Sequence, residues 1–194
     1  MERGLITMAP AAVAVPALLA TAIIVLLALA VREDLLRHRI PNLLNLAGLV
    51  LGFGVAAFAG GLDGLLTAGA GATVGIAVLL PFYLLGGMGA GDVKLMGTTG
   101  VFLGPAGALL AAALALLAGT VLAVAVVAWR LIEPRSVLET ARAVPVSAVW
   151  RAAATVSVVR KERFPYAVAI AIGAIATLWI RGSLGILLGA LGLG

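Results

Sequence analysis

The chain has no cysteine, which excludes disulfides and thiolate metal sites and leaves its redox compartment unmarked. Histidine is nearly missing as well: His38 stands alone and cannot build a metal site by itself. Charged residues make up only 11% of the sequence, less than half of what a soluble domain usually carries. No Ser-Lys or Ser-His-Asp set falls at one membrane depth, and no histidine–acid cluster has metal-ligand spacing. No repeat period or low-complexity linker appears.

In place of these features there is apolar sequence. Hydrophobic residues account for 63% of the 194 positions, and the mean hydropathy is +1.23. That composition implies an all-α, polytopic integral membrane protein, residues 1–194 folding as a single domain. The basic balance, with a pI near 10.8, encodes topology in such a chain and does not point to nucleic acid. Arg3 is a weak positive n-region, and the apolar run 9–31 is too long for the h-region of a cleaved signal peptide.

A spanning helix needs about 20 apolar residues to cross ~30 Å of hydrocarbon. Six candidates emerge: 9–31, 43–59, 65–85, 93–103, 106–129 and 166–180. Gly60-Gly61-Leu62-Asp63-Gly64 closes the second, with Asp63 read as loop. Gly86-Gly87-Met88-Gly89 closes the third, and Gly104-Pro105-Ala106-Gly107 separates the fourth from the fifth. The fourth is short for a crossing and is read as tilted or partly inserted. With the N-terminus outside, only Arg3 and Arg181 face outward, while the other eleven Lys and Arg residues fall inside, an asymmetry that supports this orientation. Segment 131–164 carries apolar Val137, Leu138, Ala141 and Val144 on one helical stripe and Arg135, Glu139 and Arg142 on another. It reads as an amphipathic helix lying in the inner interface, between the fifth and sixth spans, with its arginines toward anionic lipid headgroups. The rival is a seventh span over 143–159, which Arg151 in its middle opposes. The tail 182–194 is apolar and short, either a re-entrant piece or a continuation of the last helix. Small-xxx-small pairs at Gly48/Gly52, Gly71/Gly75 and Gly185/Gly189 imply close helix packing.

Two carboxylates remain as candidates for chemistry, because an acid at membrane depth marks a functional site by default. Asp92 follows Gly87, Gly89 and Gly91, glycines that permit close approach by another chain. A structural role as the N-cap of the next helix is equally available to it. Asp34 lies just past the first helix among Arg32, Glu33, Arg37 and Arg39. Alone it reads as a solvated charge, and Glu33 competes with it. Adjacent helical positions point about 100° apart, so one of the two faces the bundle. The turn Ile40-Pro41-Asn42 leads into the second helix, where proline in the first turn is well tolerated. Lys94 serves to tune Asp92, to bind headgroups or to mark the inner side, and His38 reads as a surface residue of the inner loop. The layout places Asp34 and Asp92 at the same, cytoplasmic, face.

With these residues in view, the chain resembles the type IV prepilin peptidases, a branch of the GxGD membrane aspartyl proteases, and within them the small form of tight-adherence (Tad/Flp) pili. Gly89-Ala90-Gly91-Asp92 matches the GxGD motif, followed by Val93-Lys94-Leu95 and by Gly100-Val101-Phe102-Leu103-Gly104. Asp34 with Ile40-Pro41-Asn42 matches the first catalytic aspartate and its turn, and Pro165-Tyr166-Ala167 is similar to a Pro-aromatic motif. The resemblance implies a hydrolase of the bacterial inner (plasma) membrane that removes the leader peptide of prepilins, cutting at a glycine just before the pilin's hydrophobic helix. Asp34 and Asp92 would be catalytic. Gly89, Gly91, Lys94, Pro41 and Asn42 would shape the loop that admits substrate, and no metal or other cofactor is implied. Larger members carry a cysteine-rich insertion and N-methylate the pilin. Nothing here accommodates that insertion, which disfavours the methyltransferase activity. The Tyr-Asp pair and Pro-Ala-Leu motif of the presenilin-type enzymes are also missing as a unit. Two other classes fit the residues: a small cation channel or carrier with paired acids at mid-membrane, and a non-catalytic pilus-assembly protein.

Overall fold

The computed structural model describes residues 10–37, 39–132 and 166–182. Among the described residues there are helices and no strands. In chain order they are α1 (Pro10–Arg37), α2 (Asn42–Leu84), α3 (Ala90–Ile132) and α4 (Tyr166–Ile180). His38 and nearly all of the expected in-plane segment 131–164 and of the 182–194 tail lie outside the described residues; Leu131 and Ile132 end α3.

Among the described residues, two helices are long and apolar enough to cross a membrane. Their most apolar stretches have mean hydropathy 2.0 in α2 and 2.6 in α3, and only 17% and 22% of those stretches is buried inside the protein. The core helix of a soluble protein would be mostly covered. Here Val50, Phe58, Leu117 and Trp129 stand exposed.

Both long helices break once. Gly61 (φ 56°) interrupts α2 and Gly104 (φ 67°) interrupts α3, at the glycine clusters where the sequence separates its apolar runs. These φ values lie in the region that penalises any residue with a Cβ, and Pro105 adds a missing N–H just after the second break. The contacts show that the chain reverses at each break. Before Gly61, Gly48 lies against Thr98 and Gly52 against Val101. After it, Gly71 lies against Gly100 and Gly75 against Met96. The two limbs of α2 thus flank the first limb of α3 in opposite senses. Beyond Gly104 the second limb of α3 runs back, with Gly107 beside Arg181, Ala111 and Ala115 against Gly173, and Gly119 under the Tyr166 ring. The expected loop at 60–64 is therefore a one-residue break, and Asp63 is helical.

Glycine also sets how near the helices come. A Cβ on Gly71 or Gly100 would collide with the other's backbone carbonyl, and one on Gly75 would sit 2.6 Å from the Met96 carbonyl oxygen. Where lipid surrounds helices, packing rather than water exclusion holds them together, so such backbone-to-backbone contact matters more than side-chain bulk. Around this crossing Ile23, Leu27, Leu79, Leu95, Met96 and Ile170 are fully buried.

Candidate active site

The end of α1, the start of α3 and the start of α4 meet at one end of the bundle. The sequence reading stops the first helix at residue 31, with Asp34 beyond it. In the structure α1 runs on to Arg37 and carries Asp34 within its last turns. The reason is local: Glu33 ion-pairs with Arg37 one turn on (Oε2 to Nε, 3.2 Å) and accepts a hydrogen bond from Arg32 Nη1 at 2.9 Å. Such i,i+4 pairs extend a helix past its apolar stretch. They also settle which acid faces the bundle. Glu33 is held by two arginines with exposed side chains, whereas Asp34 is 6% exposed.

Asp34 Oδ2 accepts a hydrogen bond from the Ala167 backbone N–H at 3.3 Å. Ala167 is the second residue of α4, and its N–H is among the donors a helix start leaves without an internal partner. The helix dipole adds to the attraction for a carboxylate.

Asp92, 8% exposed, sits in the first turn of α3. It is not the N-cap itself. Its Oδ2 accepts the Gly89 N–H at 3.0 Å, and its own N–H donates to the Gly89 carbonyl at 3.1 Å. Gly89 thus occupies the cap position and Asp92 reaches back to it from three residues inside, as the acidic member of a capping box does. The preceding turn is formed by the end of α2. There Gly87 N–H donates to the Phe82 carbonyl and Gly86 N–H to the Tyr83 carbonyl, with Gly86 at φ 75°, a Schellman closure. A Cβ at Gly89 would stand 3.2 Å from Asp92 Oδ2, so this glycine gives the carboxylate its room.

The partly buried Tyr166 lays its ring over Gly119 in the second limb of α3, while its neighbour Ala167 holds Asp34. Ile40 packs against Gly91, where an added Cβ would touch its side chain at 3.4 Å. The Pro41 carbonyl accepts the N–H groups of Leu44 and Asn45 to open α2. Asn42 Oδ1 accepts a hydrogen bond from Lys94 Nζ at 3.0 Å. Asp34, Pro41, Asn42, Gly89, Gly91, Asp92 and Lys94 thus gather at one end of the bundle. Lys94 is engaged by Asn42, and Glu33 is paired with Arg32 and Arg37. The sequence reading gives no role to Tyr166 or the Ala167 N–H. The signal for them was the Pro165-Tyr166-Ala167 string at the head of an apolar run. Among the described residues no three His, Cys, Asp or Glu side chains come together.

Two buried carboxylates at the mouth of a helical bundle have the composition of a general acid–base pair. Neither the comparison with curated proteins nor the comparison with solved structures gives a match. The model of the Type IV leader peptidase family matches residues 20–124, more than half of the chain and a stretch that contains both aspartates, and the chain belongs to that family.

Proposed function

We propose that this protein is an aspartic endopeptidase of the bacterial inner membrane, of the small tight-adherence pilus type, which removes the N-terminal leader of prepilins at the cytoplasmic face. The observation that carries the reading is two buried aspartates at one end of the bundle: Asp34 bonded to the Ala167 N–H at the start of α4, and Asp92 in the first turn of α3, which meets the turn after α1 through Ile40 on Gly91 and Lys94 on Asn42. Two nearby carboxylates cannot both ionise cheaply, so they share a proton and titrate as a pair. The ionised partner takes a proton from water as it attacks the scissile carbonyl. The protonated partner polarises that carbonyl and then protonates the leaving amine.

The reversals at Gly61 and Gly104 support six spans, the two limbs of α2 and of α3 counting separately. The first limb of α3, residues 90–103, covers about 20 Å at 1.5 Å per residue. It is the short member of the set and starts at the site, so Asp92 sits close to water. The aspartates lie at the end of the bundle opposite Arg181, whose Nη1 donates to the Leu103 carbonyl at 2.7 Å. Placement at helix ends suits hydrolysis, whereas a cation carrier would keep its acids at mid-membrane.

The experiment is leader removal from a co-expressed prepilin, read by the size of the product. Asp34→Asn and Asp92→Asn should insert normally and leave the precursor uncut. Normal processing by either variant would refute the assignment. Binding without cutting by the unaltered protein would point to a pilus-assembly role instead.

A further inference from the structure

Next to the aspartates a groove of about 550 Å³ runs between the two limbs of α2 and the first limb of α3. Asn42 and Lys94, which border the site, form its mouth. Leu46, Leu49, Ile76 and Thr98 form its walls. Asn45 also lines it and is the anomaly. This residue is 4% exposed, and neither its amide nitrogen nor its amide oxygen has a hydrogen-bond partner. A buried amide left unpaired costs stability, and an apolar residue of similar shape would serve packing better.

We propose that this groove seats the substrate's apolar helix where it unwinds toward the cut, with Asn45 taking up backbone groups that the unwinding frees. The inference rests on the leader-peptidase reading and gives the substrate a place on the enzyme. A peptide bond must be extended to lie between two carboxylates, while the apolar segment that follows stays helical. Between those states several N–H and C=O groups lose their helical partners. At membrane depth they have to be satisfied by protein, since hydrocarbon offers nothing. A side-chain amide both donates and accepts, which is what a backbone strand requires. Lys94 has donors beyond the one given to Asn42. Asn42 and Asn45 share one face of α2, and Lys94 and Thr98 share one face of α3. Asn42, Asn45 and Lys94 thus stand at the groove end nearest the aspartates, with Leu46, Leu49 and Thr98 farther along. A lipid acyl chain has no polar atom to offer Asn45, and this argues for a peptide as the occupant.

The test uses the full-length protein in membranes with a prepilin that it cuts. Asn45→Leu should lower kcat/KM about tenfold, mainly through KM, while the melting temperature holds or rises. A merely structural Asn45 would leave KM alone. Leu46→Trp, which fills the groove, should raise KM, whereas Leu117→Trp on an exposed face should not. A photo-crosslinking residue at Leu49 in the Asp92→Asn background should capture the prepilin. Unchanged KM in both groove variants, or crosslinks to lipid alone, would overturn the groove while leaving the peptidase reading intact. Failure of the unaltered protein to cut any prepilin would overturn both.

Discussion

Glu33 and Asp34 are adjacent acids of nearly the same chemistry, and the helix gives them different surroundings. The sequence shows that only one of them can face the bundle, but choosing between them takes the arginine pairs on Glu33 and the Ala167 N–H on Asp34. Replacing either aspartate by asparagine should cost about 10²–10⁴-fold in leader cleavage, the usual scale for a lost acid–base group. Glu33→Gln should leave cleavage intact and shift stability by less than ~1 kcal/mol, since its partners are exposed ion pairs. A cleavage assay on the three variants side by side checks this, and a dead Glu33→Gln beside an active Asp34→Asn would reverse the assignment. Gly89→Ala probes a subtler point. A methyl group 3.2 Å from Asp92 Oδ2 must displace that carboxylate by a few tenths of an ångström. We expect reduced cleavage without loss of fold, because the Gly89 position has no positive φ. Cleavage by Gly89→Ala at the unaltered rate would show that this room around the carboxylate is not needed.

At the scale of elements, apolar run lengths and glycine clusters made the helices readable, and the breaks fell where the clusters lie. The loop lengths were not readable. A five-residue glycine-rich string looks like a loop, yet one residue with φ 56° suffices to turn the chain at Gly61. The true end of α1 was hidden because the charges that seem to end it also form the i,i+4 pair that prolongs it. The breaks make a contrast that can be measured. Gly104→Ala forces a Cβ into a left-handed conformation and should lower stability by about 1–2 kcal/mol. Gly60→Ala meets open space within the helix and should be neutral or stabilising by up to ~1 kcal/mol. Thermal denaturation in detergent reads both. Equal melting temperatures for the two variants would mean that the Gly104 turn is not held as described.

For the whole molecule, the sequence carries the apolar runs and the charge asymmetry, because hydropathy and arginine placement are local quantities. It does not carry the meeting of α4 with Asp34 across 133 positions, which follows from how small-residue faces pack in three dimensions. The sidedness of the bundle is the global property on which the proposed site depends, and the lack of cysteine makes it directly measurable. Any single introduced thiol is the only one in the chain. Leu62 is exposed beside the Gly61 turn, at the bundle end away from the aspartates, and Leu85 is exposed beside the glycine turn that leads to Asp92. If the basic residues hold the aspartate end inside, Leu62→Cys reacts with a membrane-impermeant maleimide added to spheroplasts, and Leu85→Cys reacts only after permeabilisation. A reporter fused after Phe164 should likewise report cytoplasm. The reverse labelling pattern would put both carboxylates on the outer face, where the leader of a prepilin inserted with its N-terminus inside never arrives, and the peptidase assignment would lose its substrate.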